Sequence, residues 1–257
     1  MEGQGRGVND TRSKGTGQWL YGVNSVREAL RAERTVHEVY VYRERTDRIK
    51  NEIVALATRS GIRVKFVDKS FFSGFPKGHQ GVAVRVSPEK VVGLEDLFSI
   101  SRRKGEPPFY LIIDGVVDPG NLGAIIRTAE VGGVHGIILQ KRRVASGETV
   151  AKASAGAVEY LPAVRVSNIK HVMRELREKG VTIYSAGAEA GELYRAVDLT
   201  IPLAFVVGSE GKGIRTTVKR YCDQMVKIPV LGKVNSLNVS VATGILVYEV
   251  VRQRMSA

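Results

Sequence analysis

Hydrophobic runs and helical patterns alternate regularly through the second part of the chain. Five short apolar runs predict strands, and segments with apolar residues at helical spacing separate them. The predicted strands are residues 109–113, 136–140, 181–185, 203–207 and 225–228. The predicted helices are residues 122–131, 148–157 and 167–179, a short helix after Gly213 and a final helix after Val239. Short apolar strands that alternate with helices are typical of an α/β fold whose parallel sheet is covered on both faces.

The first part of the chain predicts a smaller α/β module. A capping-box pattern at Ser25 and Glu28 opens a short helix, and Gly61 ends a second helix over residues 46–60. The predicted strands are residues 36–42, 62–67 and 81–86. The domain boundaries that follow are a disordered basic tail over residues 1–17, the module over 18–88, a linker with a short helix over 89–106, and the large domain over 107–257.

Charge favours a polyanionic partner. The 257 residues carry 39 Lys and Arg against 26 Asp and Glu, a net charge of +13. More than half of that excess lies in residues 1–88, which hold only a third of the chain.

Several classes of protein are disfavoured by what the chain contains. Its single cysteine, Cys222, permits no intrachain disulfide, and its four histidines have no zinc-binding spacing. No apolar stretch reaches the ~18 to 20 residues of a membrane span, and no signal-peptide core precedes the first module. We therefore expect a cytoplasmic protein without a metal and without a membrane partner.

Ligands of a parallel sheet bind beyond the carboxyl ends of its strands. Four of the predicted strands are followed there by loops rich in glycine or amide side chains. These loops are DGVVDPGN, AGAEAG, GSEGKGIR and PVLGKVNSLNVS. Their convergence on one edge predicts a binding site.

Each candidate in these loops also has a purely structural interpretation. Asn121 is expected to cap a helix that begins at Leu122, and Arg127 could form a surface pair with Glu130. The loop with Glu210 fits neither a Walker A loop nor a dinucleotide loop, and its glycines could simply make a tight turn. Capping of the last helix needs one side chain, whereas four polar ones crowd there: Asn235, Ser236, Asn238 and Ser240. Capping therefore does not account for all of them.

Three segments resemble, in order and spacing, the signature motifs of the SpoU (TrmH) family of RNA ribose 2′-O-methyltransferases. They are DPGNLGAIIRTAEVGGVHGIIL, FVVGSEGKGIR and IPVLGKVNSLNVSVATGILVYEVVRQR. The resemblance covers residues 107–257, and residues 19–88 resemble the small RNA-binding domain of RlmB-type rRNA enzymes. It implies a SPOUT fold, which is a parallel-sheet methyltransferase domain with a C-terminal trefoil knot, working as a homodimer.

The resemblance also implies functional residues. The cofactor would be S-adenosylmethionine (AdoMet), held largely by the backbone of Ser185, Ala186, Gly187, Gly208, Ile228 and Leu237. The catalytic residues would be Asn121, Arg127, Glu210, Ser236 and Asn238. Because a sulfonium methyl group is already activated, the protein must only align the ribose 2′-oxygen and relieve it of its proton.

Two roles for Arg127 stay open at this point. The first is the base that takes the 2′-proton. The second is a ligand of the 3′-phosphate that also stabilises developing alkoxide charge. We favour the second role, because a guanidinium is effectively always protonated in proteins.

RNA contacts are expected on both parts of the chain. Arg43 and Arg45 in the first module, and Lys141, Arg142 and Arg143 after the second strand of the large domain, are the expected RNA-binding cations. Three strand aromatics, Tyr40, Tyr42 and Phe66, could stack on unpaired bases, although alternation favours core packing for at least two of them.

The expected activity is thus AdoMet-dependent 2′-O-methylation of RNA, with a guanosine of 23S rRNA as the favoured substrate. A tRNA or an antibiotic-resistance site in rRNA is the alternative within the family. A dinucleotide oxidoreductase is disfavoured, because Gln140 and Lys141 stand where an acidic residue would be required. An RNA-binding protein without catalysis is disfavoured, because none of the five catalytic residues is replaced.

Overall fold

The computed structural model describes residues 17–32, 34–141, 145, 147–209, 211 and 213–256. The chain divides into two compact units, Met1–Glu89 and Lys90–Ala257. Except for Gly17, the tail expected over residues 1–17 lies outside the described residues.

The first unit is built on a four-stranded mixed sheet. Its elements are β1 (Gln18–Tyr21), α1 (Val23–Arg31), β2 (Val36–Tyr42), α2 (Arg48–Arg59), β3 (Arg63–Val67) and β4 (Val82–Val86). The strand order is β1-β4-β2-β3, in which β2 and β3 are parallel and β4 is antiparallel to both of its neighbours.

The start of α1 differs from the sequence prediction. The helix begins after Gly22, whose φ of 89° lies in a region that glycine adopts easily. Ser25 is 2% exposed inside the helix, so the predicted capping box with Glu28 is wrong. Strand β1 was not predicted, because four residues are too few to show an alternating pattern.

An aromatic cluster fills part of the first unit. Phe71, from a 3-10 segment at Lys69–Gly74, stacks on Tyr40 with ring centroids 4.8 Å apart and an interplanar angle of 11°. Trp19 and Phe75 pack edge to face against each other in the same cluster. Aromatic side chains of the first unit therefore pack against one another in its interior.

The second unit is a seven-stranded parallel sheet in the described part of the chain. Its elements are α3 (Leu94–Lys104), β5 (Phe109–Asp114), α4 (Pro119–Val131), β6 (Gly136–Gln140), α5 (Glu148–Ala153), β7 (Ala163–Val166), α6 (Ile169–Glu178), β8 (Thr182–Ala186), β9 (Glu192–Leu193), β10 (Leu203–Gly208), α7 (Thr216–Lys219), β11 (Gln224–Lys227) and α8 (Val239–Met255). The strand order is β7-β6-β5-β10-β8-β11-β9. The predicted α/β class is confirmed, whereas β7 and β9 were not predicted.

Helices cover both faces of this sheet. Phe109, Leu111 and Ile113 pack in one cluster with residues of α4 and α8, while Tyr110 and Ile112 pack in the other with residues of α3 and α6. The short helix expected in the linker is α3, and its Leu97 and Phe98 belong to that second cluster. Helix α3 is thus a structural part of the second unit.

The strand order brings distant segments together at the carboxyl edge. Strand β10 lies between β5 and β8, so the ends of three strands far apart in sequence are neighbours. Strand β11 adds the loop that leads into α8. The trefoil knot stays a prediction of the family resemblance.

Candidate active site

A cavity of about 530 Å³ opens at the carboxyl edge of the second unit's sheet. Residues at three strand ends line it: 186–189 at the end of β8; 208, 209, 211, 213 and 214 at the end of β10; and residues of the segment from Ile228 to Val239, which leads into α8. Each was among the glycine- or amide-rich loops of the sequence. The fourth loop, after β5, reaches this region through the side chain of Asn121 described below.

Close backbone packing shapes the cavity wall. A Cβ atom on Gly208 would lie 2.2 Å from the carbonyl carbon of Gly213, so only glycine fits there. A Cβ atom on Gly187 would lie 2.7 Å from Oε2 of Glu189. Main chain at Gly208 and Gly213 therefore forms part of the wall, where N–H and C=O groups can face a ligand.

Five of the six residues expected to hold the cofactor line this cavity: Ala186, Gly187, Gly208, Ile228 and Leu237. Ser185 does not line it. Its side chain is buried at the end of β8, with Oγ 3.5 Å from the carbonyl oxygen of Gln224. Ser185 therefore faces β11.

An ion pair at the cavity was not predicted. Glu189 and Lys219 both line the cavity and bond to each other through Oε1 and Nζ. The hydrogen bond from Lys219 lowers the pKa of the Glu189 carboxyl group. No sequence pattern marks the pair, because Glu189 lies in the loop after β8 and Lys219 ends α7, and only the fold brings the two together.

Two asparagines meet beside the cavity. Nδ2 of Asn238 donates to Oδ1 of Asn121 across 3.0 Å, although 117 residues separate the two in sequence. Oδ1 of Asn238 also accepts from the backbone N–H groups of Ser240 and Val241, at 2.8 and 3.4 Å, and so caps α8. One face of the Asn238 amide thus caps the helix while the other holds Asn121.

Asn121 is not a helix cap, contrary to the structural interpretation of the sequence. Helix α4 begins at Pro119, and Oδ1 of Asp118 accepts from the backbone N–H of Asn121 at 2.7 Å. Proline at the first helical position suits a helix N-terminus, so Asp118 takes the capping position. The side chain of Asn121 is thereby left for the contact with Asn238.

The other expected catalytic residues lie in different places. Ser236 lines the cavity in the exposed loop before α8. Arg127 is exposed on α4, and within the described residues it has no hydrogen bond or ion pair. Glu210 lies outside the described residues. The structure thus brings Asn121 and Asn238 into direct contact and leaves Arg127 open to solvent.

The expected RNA-binding cations of the first unit differ in their freedom. Arg45 forms a bidentate pair with Asp47, at 2.7 and 2.6 Å, and its side chain is only 15% exposed. Arg43 is 66% exposed and contacts Asp68 loosely at 3.8 Å. In the second unit Lys141 is exposed, while Arg142 and Arg143 lie outside the described residues. Of these expected cations, Arg43 and Lys141 therefore have the side chains that are exposed enough to contact a phosphate.

Among the strand aromatics only Phe66 is well exposed. Tyr40 is 8% exposed, and burial together with the hydrogen bond to Glu38 raises its pKa to about 12. Tyr42 is half-buried and donates to Glu44 at 2.5 Å. Phe66 is 43% exposed, and Nζ of Lys50 lies 5.1 Å from its ring centroid. The prediction that at least two of the three pack into the structure is confirmed.

The described residues include no group of three or more His, Cys, Asp or Glu side chains arranged to hold a metal ion. Within the same ranges, no helix combines the length and the hydropathy of a membrane span.

Comparison with known families matches both units of the chain. Residues 108–248 match the SpoU rRNA Methylase family, and residues 19–92 match the family described as RNA 2′-O ribose methyltransferase substrate binding.

Curated relatives match over nearly their whole length. A Bacillus subtilis protein, YacO, named as a TrmH family tRNA/rRNA methyltransferase, is 41% identical over 92% of this chain and 96% of its own. The 23S rRNA (guanosine-2′-O-)-methyltransferase RlmB of Photobacterium profundum is 39% identical over 91% of this chain and 97% of its own.

Solved structures share the fold. The SpoU methyltransferase AviRb from Streptomyces viridochromogenes, in complex with AdoMet, matches with a TM-score of 0.80 at 23% identity over 98% of this chain and 95% of its own. The AdoMet-bound rRNA methyltransferase from Sinorhizobium meliloti matches with a TM-score of 0.74 at 26% identity over 94% of this chain and 89% of its own.

Proposed function

Because the chain belongs to the SpoU rRNA Methylase family, we propose that it transfers the methyl group of AdoMet to a ribose 2′-hydroxyl of RNA. The observation that carries the proposal is the carboxyl-edge cavity, walled by glycine backbone and bordered by the joined side chains of Asn121 and Asn238. Family membership indicates the reaction, and the cavity is the part of the structure where we propose that it occurs.

The cavity fits the cofactor. Its volume of about 530 Å³ lies within the range of about 300–1,000 Å³ that small-molecule sites occupy. Val207, Ile228 and Leu237 offer apolar surface for a purine ring, and the main chain at Gly187 and Gly208 approaches closely because side chains are absent. These groups would hold AdoMet, which supplies an activated methyl group when bound.

The chain itself must bind and orient the ribose. Ser236 lines the cavity, and Asn238 is fixed by its helix cap and by Asn121. Amide and hydroxyl groups held in this way can keep a 2′-hydroxyl in one orientation. We assign Ser236, Asn121 and Asn238 this positioning role, with Glu210 as a further member of the site from the family resemblance.

We assign Arg127 the role of binding the 3′-phosphate of the RNA. It is exposed and has no partner among the described residues, so its five N–H donors are available to an anion. A guanidinium bound to the 3′-phosphate can also stabilise negative charge that develops on the 2′-oxygen.

The favoured substrate is a guanosine of 23S rRNA. RlmB enzymes that act on this substrate are 36–39% identical to the chain over at least 91% of its length. The match of residues 19–92 to a substrate-binding family supports RNA recognition by the first unit. A cytoplasmic location belongs to the same proposal and is supported by the ribosomal RNA substrate of the RlmB relatives.

A surface formed by Phe66, Lys50 and Arg43 is our candidate RNA contact in the first unit. Arg43 Nη2 lies 3.5 Å from the carbonyl oxygen of Phe66, and Lys50 Nζ donates to the carbonyl oxygen of Arg43 at 3.0 Å, so the three residues are neighbours. An exposed ring beside two cations can stack a base while the cations bind its phosphates. Phe66→Leu should weaken RNA binding about fivefold in a filter-binding assay, and an unchanged affinity would remove this surface from the proposal.

We also propose that the enzyme is a homodimer. Val241, Tyr248 and Met255 recur every seven residues on α8 and are 52%, 50% and 83% exposed. Val131 on the neighbouring α4 is 64% exposed. A second copy covering this apolar stripe would remove it from water. Light scattering should give a dimer for the wild type and a monomer for Tyr248→Asp; a wild-type monomer at micromolar concentration would contradict the proposal.

The direct test is transfer of labelled methyl groups from AdoMet to deproteinised 23S rRNA, with tRNA as the parallel substrate. We expect label in one alkali-resistant dinucleotide of 23S rRNA. Arg127→Ala should lower the rate by at least about 100-fold. Arg174→Ala is the matched control, because Arg174 is also an exposed helical arginine but lies on α6.

Each outcome has a definite meaning. Label on tRNA alone would retain the reaction and replace the substrate. Absence of label on both RNAs, together with absence of AdoMet binding, would overturn the proposed function.

A further inference from the structure

A buried carboxylate ends the strand beside the cofactor loop. Asp114 is the last residue of β5, and its side chain is 0% exposed. Within the described residues, the hydrogen bonds of its carboxylate go to Arg215: Oδ2 accepts from the backbone N–H at 3.0 Å, and Oδ1 accepts from Nε at 2.8 Å. Nη2 of Arg215 also lies 2.6 Å from Oδ1 as an ion-pair contact. One carboxylate therefore fixes both the main chain and the side chain of a single arginine.

Arg215 closes the loop that follows β10. The loop starts at Gly208, which is the register partner of Asp114 in the pairing of β5 with β10. Ser209 and Gly213 exchange two backbone hydrogen bonds, at 3.1 and 2.8 Å, within it. Asp114 thus joins the outgoing end of the loop, beside Gly208, to the returning end at Arg215.

This loop forms one wall of the carboxyl-edge cavity. Its lining residues include Gly208, Ser209, Gly211, Gly213 and Ile214. Arg215 also stands at the N-terminal boundary of α7, which carries Lys219 into the same cavity. A shift of Arg215 would therefore move most of the wall.

A second contact holds the guanidinium in place. Nη2 of Arg215 donates to Oε1 of Gln140 at 3.2 Å, at the end of β6. Arg215 thus bridges the ends of two neighbouring strands through the Nε and Nη2 atoms of its planar guanidinium group, a fixed spacing of donors that the compact ammonium group of a lysine does not reproduce.

Stability alone is a weak reason for such a pair. Burying the Asp114 carboxylate is costly, and the side chain of Arg215 stays 41% exposed to water, so the pair adds little net stability. Specific geometry is a better reason, since the guanidinium group meets one carboxylate oxygen while the backbone N–H of the same residue meets the other, which fixes the position of Arg215.

We propose that Asp114 and Arg215 are positioning residues for the methyl transfer, and that they hold residues 208–214 in the shape that binds AdoMet. The proposal rests on the proposed function, because it assigns AdoMet to the cavity. Neither residue touches the reacting atoms; both act through the loop.

The test measures AdoMet binding directly, by calorimetry on the whole protein without RNA. Arg215→Lys keeps the positive charge and the backbone hydrogen bond to Asp114 but loses the guanidinium group. We expect it to weaken AdoMet binding on the order of tenfold, and Asp114→Asn to weaken it at least as much. In the methylation assay the KM for AdoMet should rise in proportion, while kcat at saturating AdoMet should change less than about threefold.

Asp223→Asn is the matched control. Asp223 also forms an ion pair with an arginine, Arg177, whose Nε lies 2.8 Å from Oδ1, and it accepts from the backbone N–H of Ile183 at 2.8 Å, but it does not line the cavity. Its replacement should leave AdoMet affinity within about twofold of the wild type.

Two results would overturn the proposal. One is unchanged AdoMet affinity in Arg215→Lys. The other is an equal loss of affinity in Asp223→Asn, which would indicate general destabilisation. A wild-type protein that binds no AdoMet would instead overturn the proposed function, so the two failures are distinguishable.

Discussion

Two cavities of nearly equal size lie at opposite edges of the same sheet. The carboxyl-edge cavity measures about 530 Å³ and the amino-edge cavity about 510 Å³. The first is walled by glycine-rich loops after the strands. The second lies where β5 begins and α8 ends, and it is lined by Phe109, Val250 and Arg254 among others. Size alone does not distinguish them.

Their polar groups do distinguish them. Arg254 in the amino-edge cavity donates to four backbone carbonyls, those of Pro107, Pro108, Leu199 and Ile201, and its guanidinium lies 5.4 Å from the ring centroid of Phe109. Burial lowers the pKa of Arg254. The guanidinium group of Arg254 thus holds the end of α8 against the starts of the strands. At the carboxyl edge, the cavity is lined by glycine main chain together with the Glu189–Lys219 ion pair and Ser236.

The largest expected effect comes from filling the carboxyl-edge wall. Gly208→Ala would place a Cβ atom 2.2 Å from the carbonyl carbon of Gly213 and displace the loop. Overpacking of this kind costs about 1–3 kcal/mol, so AdoMet affinity should fall on the order of 100-fold in calorimetry.

Gly191→Ala is its control. A Cβ atom on Gly191 meets nothing within 4 Å, and the substitution should leave binding unchanged. Equal affinities for Gly208→Ala and the wild type would show that this wall does not bind the cofactor.

The second prediction is that the amino-edge cavity contributes to stability and not to AdoMet binding. Arg254→Met removes the donors of four hydrogen bonds to backbone carbonyls, three of them part-buried, and we expect a loss of about 3 kcal/mol in the free energy of unfolding measured with urea. AdoMet affinity should stay within about threefold. A stable Arg254→Met protein that had lost AdoMet binding would reverse the roles of the two cavities.

Arg102→Met is the control for this change. Arg102 is 63% exposed and pairs with the exposed Glu95, so its replacement should leave the urea midpoint nearly unchanged.

The third prediction concerns the edge of the functional cavity. Asn238→Asp keeps an oxygen to cap α8 but replaces the donor that faces Oδ1 of Asn121 with a second acceptor. The methylation rate should fall about tenfold to 100-fold, while the urea midpoint changes little.

Asn168→Asp makes the same exchange at the cap of α6, where Oδ1 accepts from the backbone N–H of Lys170. It should affect neither quantity. If Asn238→Asp instead loses methylation rate and stability together, Asn238 acts only as the cap of α8.

The smallest effect is a pH dependence next to the amino-edge cavity. His135 is buried, and burial lowers its pKa, with Lys104 and Arg254 acting in the same direction and Glu106 opposing them. The unfolded histidine takes up a proton near its ordinary pKa of about 6.5, before the folded one does. Stability should therefore be complete above that pH and decline as the pH falls below it.

The measurement is the urea midpoint between pH 7.5 and 5.5 in the wild type and in His135→Asn. Nδ1 of His135 accepts from the backbone N–H of Phe109 at 3.0 Å, and an asparagine oxygen can replace that acceptor without titrating. The variant should show a smaller decline, and an identical decline would assign the pH dependence to other groups.

The sequence predicts local structure where the hydrophobic pattern is long enough. Strands β2 and β6 have the predicted bounds, 36–42 and 136–140. Strand β7, at Ala163–Val166, has only four residues and includes Arg165, so it gives no apolar run. The start of α4 was misplaced because Asp118 rather than Asn121 caps it.

Contacts across the sheet could not be predicted from pattern. Asn121 and Asn238 were singled out separately, but their direct bond depends on β10 lying between β5 and β8. The role of Asp114 could not be predicted from the sequence, because its partner Arg215 is 101 residues away. Local signals identify the loops of the site, whereas strand order decides which loops meet.

The most direct test of the central claim is amide hydrogen exchange with and without saturating AdoMet. The account predicts slower exchange in peptides covering residues 186–189, 208–214 and 228–238, and no change in residues 105–109 and 250–255. Protection confined to the amino-edge peptides, or no protection anywhere despite saturating AdoMet, would contradict it.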